Sequence, residues 1–170
     1  MAFYVFGYGS LMWRPGFPHE WAALGTVHGL HRRLCVYSFV HRGTRERPGL
    51  VMGLDAGGEC AGMVFKVAKT AAEDVLAYLR EREQVTMVYK EQTLPVRLSG
   101  GETVRALTYV VDTAHEQYAG RLSEDETVAH VRGAVGRSGR NEDYVIATAD
   151  HLVEAGVADP ALTRLAMRLR

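Results

Sequence analysis

Residues 3–11 of the chain read FYVFGYGSL, which is a short apolar run that leads into a loop with two glycines. The aromatic and β-branched residues 3–6 favour a β-strand, and Gly7 marks its end. Glycine lets the backbone pass close to a ligand, and successive N–H groups in such a loop can bind an anion or a developing oxyanion. The residues alone leave two interpretations open, a binding loop or a tight turn beside a buried strand.

Known phosphate and nucleophile motifs do not fit this loop. A dinucleotide fingerprint needs a third glycine where Met12 stands, and the sequence has no GK[ST] motif of a P-loop. Ser10 is not in a GxSxG elbow, so the pattern gives little support to a serine hydrolase.

Further strands are predicted along the first two thirds of the chain. They cover residues 34–40, 50–54, 62–67, 93–98 and 103–111, and Gly57-Gly58 separates the second from the third. The turn Ser99-Gly100-Gly101-Glu102 predicts a hairpin between the last two.

Helices are predicted between these strands and in the last third. Two capping boxes mark helix N-termini, namely Thr70 with Glu73 and Ser123 with Glu126. Asp159-Pro160 supplies the N-cap and the first position of a last short helix. The first box opens a helix whose apolar face is formed by residues 72, 75, 76 and 79. The second opens a helix towards residue 135, and another helix runs over 141–155 and stops at Gly156. Strands followed by helices predict an α+β fold with a small, curved or closed antiparallel sheet, as one domain over residues 1–170.

Composition narrows the class of protein. The chain has 170 residues, 20 Lys+Arg and 20 Asp+Glu, so its formal net charge is zero, which argues against a nucleic-acid binder. Cys35 and Cys60 form neither a disulfide framework nor a zinc motif, and no run approaches a membrane span. We therefore expect a cytoplasmic chain with free thiols and no metal site.

Glu83 is the candidate catalytic residue that the residues themselves single out. It follows Leu79 by four residues and so falls on the apolar face that Val75 and Leu76 also share, whereas Glu81 falls on nearly the opposite side. An inward carboxylate has a raised pKa, which suits a general base or acid near neutral pH. The alternative is a helix that frays at Arg82 and releases Glu83 to solvent.

The basic stretch from His31 to Arg47 also has two interpretations. It is either a solvated surface or a rim that attracts an anionic small molecule. His28 and His31 lie three residues apart without an HExxH motif, so a metal pair there has little support.

The chain resembles the glutathione-acting branch of the ChaC-like γ-glutamylcyclotransferases over nearly its whole length. The segments that carry the resemblance are VFGYGSLMWRP at 5–15, GLHRRLCVYS at 29–38, HRGTRERPGLVMGL at 41–54, YLREREQVTMVY at 78–89, YAGRLS at 118–123 and the later GRSGRNEDY. Aligning Tyr78-Leu79 with the family's helix puts its catalytic Arg-Glu pair at Arg82-Glu83, the same glutamate that the helical face selects.

The resemblance implies a small mixed β-barrel-like sheet with peripheral helices. It implies cleavage of the γ-glutamyl amide of glutathione to 5-oxoproline and Cys-Gly, without metal or cofactor, in a monomer or weak homodimer with no nucleic-acid or membrane partner. Glu83 would be the catalytic residue. The implied substrate-binding residues are Val5, Phe6, Gly7, Tyr8, Gly9, Ser10, Leu11 and Tyr144.

Three points stay open at this stage. The substrate could instead be another γ-glutamyl amino acid or a γ-glutamylamine, and the domain could bind γ-glutamyl groups without catalysis. The cations that hold the glycine carboxylate of glutathione are candidates by charge alone, namely Arg33, Arg42 and Arg45.

Overall fold

The structure is a computed structural model that describes residues 2–84 and 87–170. Its strands are β1 (Phe3–Gly7), β2 (Trp21–Ser38), β3 (Gly49–Val67), β4 (Tyr89–Leu98), β5 (Thr103–Val111), β6 (Val135–Gly136) and β7 (Gly139–Arg140). Its α-helices are α1 (Ala72–Glu83), α2 (Glu124–Val131), α3 (Asn141–Glu154) and α4 (Pro160–Leu169).

Five strands close into a barrel in the order β1-β3-β2-β4-β5. β1 runs antiparallel to β3, with Phe3 opposite Val67, and parallel to β5, with Val5 opposite Leu107. The β4–β5 hairpin is the predicted one, turning through residues 99–102. The parallel β1–β5 pair makes the sheet mixed, so the expectation of an antiparallel sheet is wrong, and the α+β class with a small mixed barrel is confirmed.

Two strands are much longer than the sequence predicts. β2 begins at Trp21 rather than at residue 34, because pairing with β4 at Gly25↔Leu98 extends a segment with weak strand character of its own. β3 is continuous, so the predicted break at Gly57-Gly58 is wrong. Both glycines have positive φ, 105° and 68°, which lets the strand bend without ending.

The two predicted capping boxes have opposite outcomes. Ser123 and Glu126 make both reciprocal bonds, each 3.1 Å, although α2 stops at Val131 because Arg132 is extended. The box at Thr70 is wrong. A turn of 3-10 helix over Lys69–Ala71 precedes α1, so Thr70 lies inside that turn and not at the N-cap.

The last two helices confirm their predicted ends. α3 begins at Asn141 and ends one residue before the predicted Ala155, and Gly156 follows with a φ of 77°. α4 has Pro160 at its first position. The backbone N–H of Leu162 donates to Oδ1 of Asp159 at 3.1 Å, so Asp159 is the N-cap.

The chain forms two compact units. The first contains residues 1–32 and 54–112, and its core packs α1 side chains against β1, β3 and β5. The second contains residues 33–53 and 113–170, in which buried Asn141 accepts from Leu50 N and donates to Leu50 O, both at 2.8 Å. The prediction of one domain over residues 1–170 stays a prediction.

Candidate active site

The predicted binding loop leaves the barrel at the end of β1. Val5 and Phe6 are buried, and after Gly9 the chain makes one turn of 3-10 helix over Ser10–Met12. A side chain at residue 7 would place its Cβ 2.7 Å from Leu11 Cβ, whereas a Cβ at Gly9 would meet nothing within 4 Å. Gly7 therefore allows close packing beneath the loop, and Gly9 faces open space.

Arg32 binds the backbone of this loop through its buried side chain, a role that the sequence did not predict. It is 8% exposed, and it donates from Nε to the carbonyl of Tyr8 at 2.6 Å and from Nη2 to the carbonyl of Ala61 at 2.5 Å. The interpretation of this basic stretch as solvated surface is therefore wrong for Arg32. The available signal in the sequence is the two-residue spacing of Arg32 from Leu34 and Val36, which places all three on one face of a strand that was predicted to begin only at residue 34.

Glu83 is the last residue of α1, and the helix does not fray at Arg82. Its side chain is 19% exposed and lies on the face of buried Val75 and Leu79, whereas Glu81 is exposed, as the helical periodicity predicted. Burial raises the pKa of Glu83, and the positive charge of Arg82, whose Nε lies 3.7 Å from Glu83 Oε1, opposes that rise. Its role in catalysis stays a prediction.

Arg82 joins the end of α1 to the loop. Its Nη2 donates to the hydroxyl of Ser10 at 2.9 Å, and its Nη1 donates to the carbonyl of Arg14 at 2.7 Å and to the hydroxyl of Tyr78 at 3.0 Å. Ser10 accepts in this contact, so its own hydrogen remains for another acceptor. The two segments singled out from the sequence, the loop and the Glu83 helix, are therefore brought together by one guanidinium group.

A second polar group lies in the same unit and was also missed. Arg80 makes a bidentate pair with Glu91, with both N···O distances 3.0 Å, and the hydroxyl of Tyr109 donates to Glu91 Oε1 at 2.9 Å. Tyr109 is 2% exposed. No local pattern links these three residues, which come from α1, β4 and β5.

Tyr144 belongs to the second unit. Its hydroxyl accepts a hydrogen bond from the backbone N–H of Met52 at 2.9 Å, and the guanidinium of Arg42 lies 5.5 Å from the centre of its ring. These contacts fix the side chain within that unit. The predicted contact of Tyr144 with substrate stays a prediction.

The candidate cations for a substrate carboxylate have different surroundings. Arg33 donates to Gly120 O at 2.7 Å and Arg42 to Arg140 O at 3.2 Å, whereas the guanidinium of Arg45 lies over the ring of Phe39 at 4.8 Å. Phe39 also lines a pocket of about 500 Å³ in the second unit, together with Val40, Gly43, Thr44, Val135, Gly136 and Arg137.

The two histidines considered for a metal have other partners. His28 pairs with Glu59 at 3.2 Å, and His31 contacts the carbonyl of Gly57 at 2.9 Å. Within residues 2–84 and 87–170, no three His, Cys, Asp or Glu side chains cluster as metal ligands would.

No helix in the described part of the chain combines the length and apolar character needed to cross a bilayer.

Solved structures define the class of fold. A yeast γ-glutamyl cyclotransferase specific to glutathione superposes with a TM-score of 0.87 at 23% identity, covering 99% of this chain and 95% of its own. A second structure, a γ-glutamyl cyclotransferase, superposes with a TM-score of 0.59 at 16% identity, covering 97% of this chain and 86% of its own. The barrel and its helices therefore have the γ-glutamylcyclotransferase fold.

The family follows from the sequence comparison. The family described as ChaC-like protein matches residues 3–170, so the chain belongs to the ChaC-like family. A similar protein from Escherichia coli K12, named glutathione-specific gamma-glutamylcyclotransferase, is 29% identical over 98% of this chain and 72% of its own length. A Homo sapiens protein named glutathione-specific gamma-glutamylcyclotransferase 1 is 33% identical over 91% of this chain and 72% of its own length. An Arabidopsis thaliana relative named gamma-glutamylcyclotransferase 2-3 is 30% identical, over 100% of this chain and 89% of its own length.

Proposed function

We propose that this chain cleaves the γ-glutamyl amide bond of glutathione by cyclisation and releases 5-oxoproline and Cys-Gly. The family and the names of the bacterial and human relatives support this substrate. The observation that carries the proposal is the weakly exposed carboxylate of Glu83, which Arg82 joins to the Gly9–Ser10 loop.

The reaction needs no second substrate. The α-amino nitrogen of the γ-glutamyl group attacks its own γ-carbonyl carbon, forming the C–N bond of a five-membered lactam. As the lactam forms, its nitrogen loses a second proton to solvent. The amide C–N bond to cysteine then breaks, and the departing nitrogen takes the one proton that the base had removed from the α-ammonium group. The ammonium form of the α-amine cannot attack, so a base must first remove its proton.

Glu83 performs both proton transfers in this proposal. It accepts a proton from the α-ammonium group and donates a proton to the departing Cys-Gly nitrogen. A carboxylate with a raised pKa is suited to both steps, and a positioned acid–base group contributes about 10²–10⁴-fold to the rate.

The loop over Val5–Leu11 binds the γ-glutamyl group in this proposal. Open space above Gly9 leaves room for the substrate backbone, and N–H groups of the Gly7–Ser10 segment stabilise the oxyanion. One such donor is worth about 3 kcal/mol, and holding the amine near the carbonyl contributes up to about 7–11 kcal/mol.

A product assay on matched variants tests the proposal. Purified protein is incubated with reduced glutathione, and Cys-Gly and 5-oxoproline are quantified by chromatography for the unmodified chain, Glu83→Gln and Glu81→Gln. We expect equimolar products, at least 100-fold slower formation in Glu83→Gln, and unchanged rates in Glu81→Gln. Glu81 is the matched control because it is an exposed glutamate in the neighbouring Arg-Glu pair.

Other outcomes separate the alternatives. Faster turnover of γ-glutamyl-alanine than of glutathione would assign the chain to other γ-glutamyl amino acids, an option that the less specific name of the Arabidopsis relative keeps open. Glutamate in place of 5-oxoproline would mean hydrolysis. Binding of γ-glutamyl compounds without any product would indicate a non-catalytic module.

We further propose that the enzyme acts in the cytoplasm without cofactor, as a monomer or weak homodimer. Cys35 and Cys60 are buried and form no disulfide in the described part of the chain, which is consistent with a reducing compartment. Size-exclusion chromatography with light scattering over a range of concentrations tests the oligomeric state.

A further inference from the structure

The guanidinium of Arg82 is fixed on one side by three oxygens. Its Nη1 donates to the carbonyls of Arg14 at 2.7 Å and Pro15 at 3.1 Å and to the hydroxyl of Tyr78 at 3.0 Å. A Cβ at Gly16, where φ is 74°, would clash with that hydroxyl, so the glycine lets the phenol reach the guanidinium. These contacts set the plane of the group and leave Nη2 directed towards the loop.

Nη2 of Arg82 and the hydroxyl of Ser10 together form a pair of hydrogen-bond donors. Ser10 is exposed, and its Oγ accepts from Nη2 at 2.9 Å. Because a guanidinium group only donates, the hydroxyl hydrogen of Ser10 must turn to another acceptor. Within the described residues, the other Nη2 hydrogen has no acceptor. Two hydrogens beside a positive charge are what a carboxylate binds best.

The carboxylate of Glu83 lies beside another nitrogen of the same guanidinium. Nε of Arg82 is 3.7 Å from Oε1 of Glu83, and the two side chains are 22% and 19% exposed. A planar group thus holds an anionic side chain on one nitrogen and the Ser10 hydroxyl on another. The space next to Gly9, in the same loop, is open.

The head group of a γ-glutamyl compound has the complementary charges. Its α-ammonium and α-carboxylate groups are bonded to one carbon atom, so the two sites that bind them must be neighbours. In the proposed reaction Glu83 receives a proton from the ammonium group, which leaves the carboxylate for a cationic site next to Glu83. The γ-carbonyl group is neutral before attack and would gain less from the charge of Arg82.

We propose that the Ser10 hydroxyl and Nη2 of Arg82 bind the α-carboxylate of the γ-glutamyl group, and that Arg82 thereby restricts substrates to compounds with a free α-amino acid head group. The inference rests on the proposed function, which supplies the γ-glutamyl substrate and the role of Glu83. It gives Arg82 a part in substrate specificity in addition to its contacts within the loop.

The test compares glutathione with an analogue in which the glutamyl α-carboxylate is replaced by a carboxamide. Values of kcat and KM for both compounds are measured in the unmodified chain, Ser10→Ala, Ser10→Thr, Arg82→Gln and the control Arg105→Gln. Arg105 is an exposed arginine of the same unit that donates to the carbonyl of Thr93 at 3.1 Å. The carboxamide also changes the basicity of the α-amine, so the readout is how each variant changes the ratio of the two kcat/KM values.

We expect Ser10→Ala to raise KM for glutathione about tenfold with kcat within about threefold, because a bond to the carboxylate is made equally before and during the reaction. The analogue should be affected by less than about threefold, so the preference for the carboxylate falls. Arg82→Gln removes a donor and a charge and should lower that preference about 100-fold. Ser10→Thr keeps the hydroxyl and should preserve the preference, as should Arg105→Gln.

A purely structural role gives a different result. If Ser10→Ala and Arg82→Gln lower kcat/KM equally for both compounds, the two residues only hold the loop and the inference is overturned. A fall in kcat for both compounds in Ser10→Ala, with KM unchanged, would instead assign the hydroxyl to the oxyanion and would also overturn it. Loosening of the loop in Arg82→Gln affects both compounds alike and leaves their ratio unchanged.

Failure of the proposed function is recognised separately. If the unmodified chain turns over neither compound, calorimetric binding of L-5-oxoproline and of its carboxamide decides, because the lactam carries the same α-carboxylate. Stronger binding of the carboxylate that is lost in Ser10→Ala would support the site without the reaction. Equal binding of the two lactams, or no binding of either, would overturn the inference together with the proposed function.

Discussion

Glu83 and Glu91 lie in the same unit, but their surroundings shift their pKa values in opposite directions. Burial raises the pKa of Glu83, whereas the hydrogen bonds from Arg80 lower that of Glu91. A raised carboxyl pKa means that the folded chain holds the proton more tightly than the unfolded chain does. A lowered pKa means the reverse, so the two residues make opposite contributions to the pH dependence of stability.

We predict that Glu83→Gln raises the free energy of unfolding at pH 7. Below the ordinary carboxyl pKa, Glu83 is protonated in both states and is neutral. As the pH rises through the ordinary value and then the raised one, ionisation of the buried group destabilises the fold. The gain from the glutamine should therefore be small near pH 3 and grow as the pH rises through the raised pKa of Glu83, measured by urea denaturation.

Glu91→Gln is the control with the opposite sign. This substitution should lower the free energy of unfolding by its full amount at pH 7, where the ionised carboxylate of the unmodified chain binds Arg80. The difference from the unmodified chain should shrink as the pH falls through the lowered pKa of Glu91. Equal, pH-independent effects of the two variants would contradict the opposite environments assigned to the two carboxylates.

Gly7 and Gly9 also differ at the scale of a single residue. We predict that Gly7→Ala lowers both unfolding temperature and activity, because its Cβ would lie 2.7 Å from Leu11 Cβ. Gly9→Ala should lower activity much more than stability, because its methyl group points into the open space assigned to the substrate. The variants are compared by thermal denaturation and by KM for glutathione, and an unchanged KM in a folded Gly9→Ala would contradict that placement.

At the scale of elements, the helix starts differ in how they are stabilised. Ser123 caps α2 through a reciprocal pair of bonds, whereas α1 follows a turn of 3-10 helix and has no side-chain cap. We predict that Ser123→Ala lowers the free energy of unfolding by about 1 kcal/mol. Thr70→Ala is the matched control and should change it by only about 0.5 kcal/mol or less. A larger loss from Thr70→Ala in chemical denaturation would contradict the observed start of α1.

The end of α1 matters more to the site than its start. The helix continues to Glu83, and Arg82 in its last turn reaches Ser10, Arg14 and Tyr78. A helix terminus is usually the least stable part of a helix, so these contacts keep the catalytic candidate in place.

At the scale of the molecule, the proposed reaction draws its nucleophile and its electrophile from one substrate. It therefore requires no metal-activated water, and the proton transfers belong to Glu83. We predict that dialysis against EDTA leaves kcat for glutathione within about twofold of the untreated enzyme, since metal activation of a nucleophile has no step to accelerate. Loss of activity that Mg²⁺ or Zn²⁺ restores would contradict this mechanism.

The sequence by itself determined the features that depend on neighbours within a few residues. These are the strand that ends at Gly7, the hairpin at residues 99–102, the Ser123 capping box, the Asp159 cap and the side of the helix on which Glu83 lies. Each follows from a local spacing, such as a two-residue strand period, an i,i+3 cap or an i,i+4 helical face. The family resemblance added the barrel and the substrate expected for it.

Only the tertiary structure decided the rest, because the partners are far apart in the chain. Pairing with β4 extends β2 back to Trp21, and positive φ at Gly57 and Gly58 keeps β3 continuous. The buried guanidinium of Arg32 donates hydrogen bonds to carbonyl groups 24 and 29 residues away, and the hydroxyl of Tyr109 donates a hydrogen bond to a carboxylate 18 residues away. A buried charge or phenol is stable only where such partners converge, and the closure of the barrel, not local sequence, brings them together.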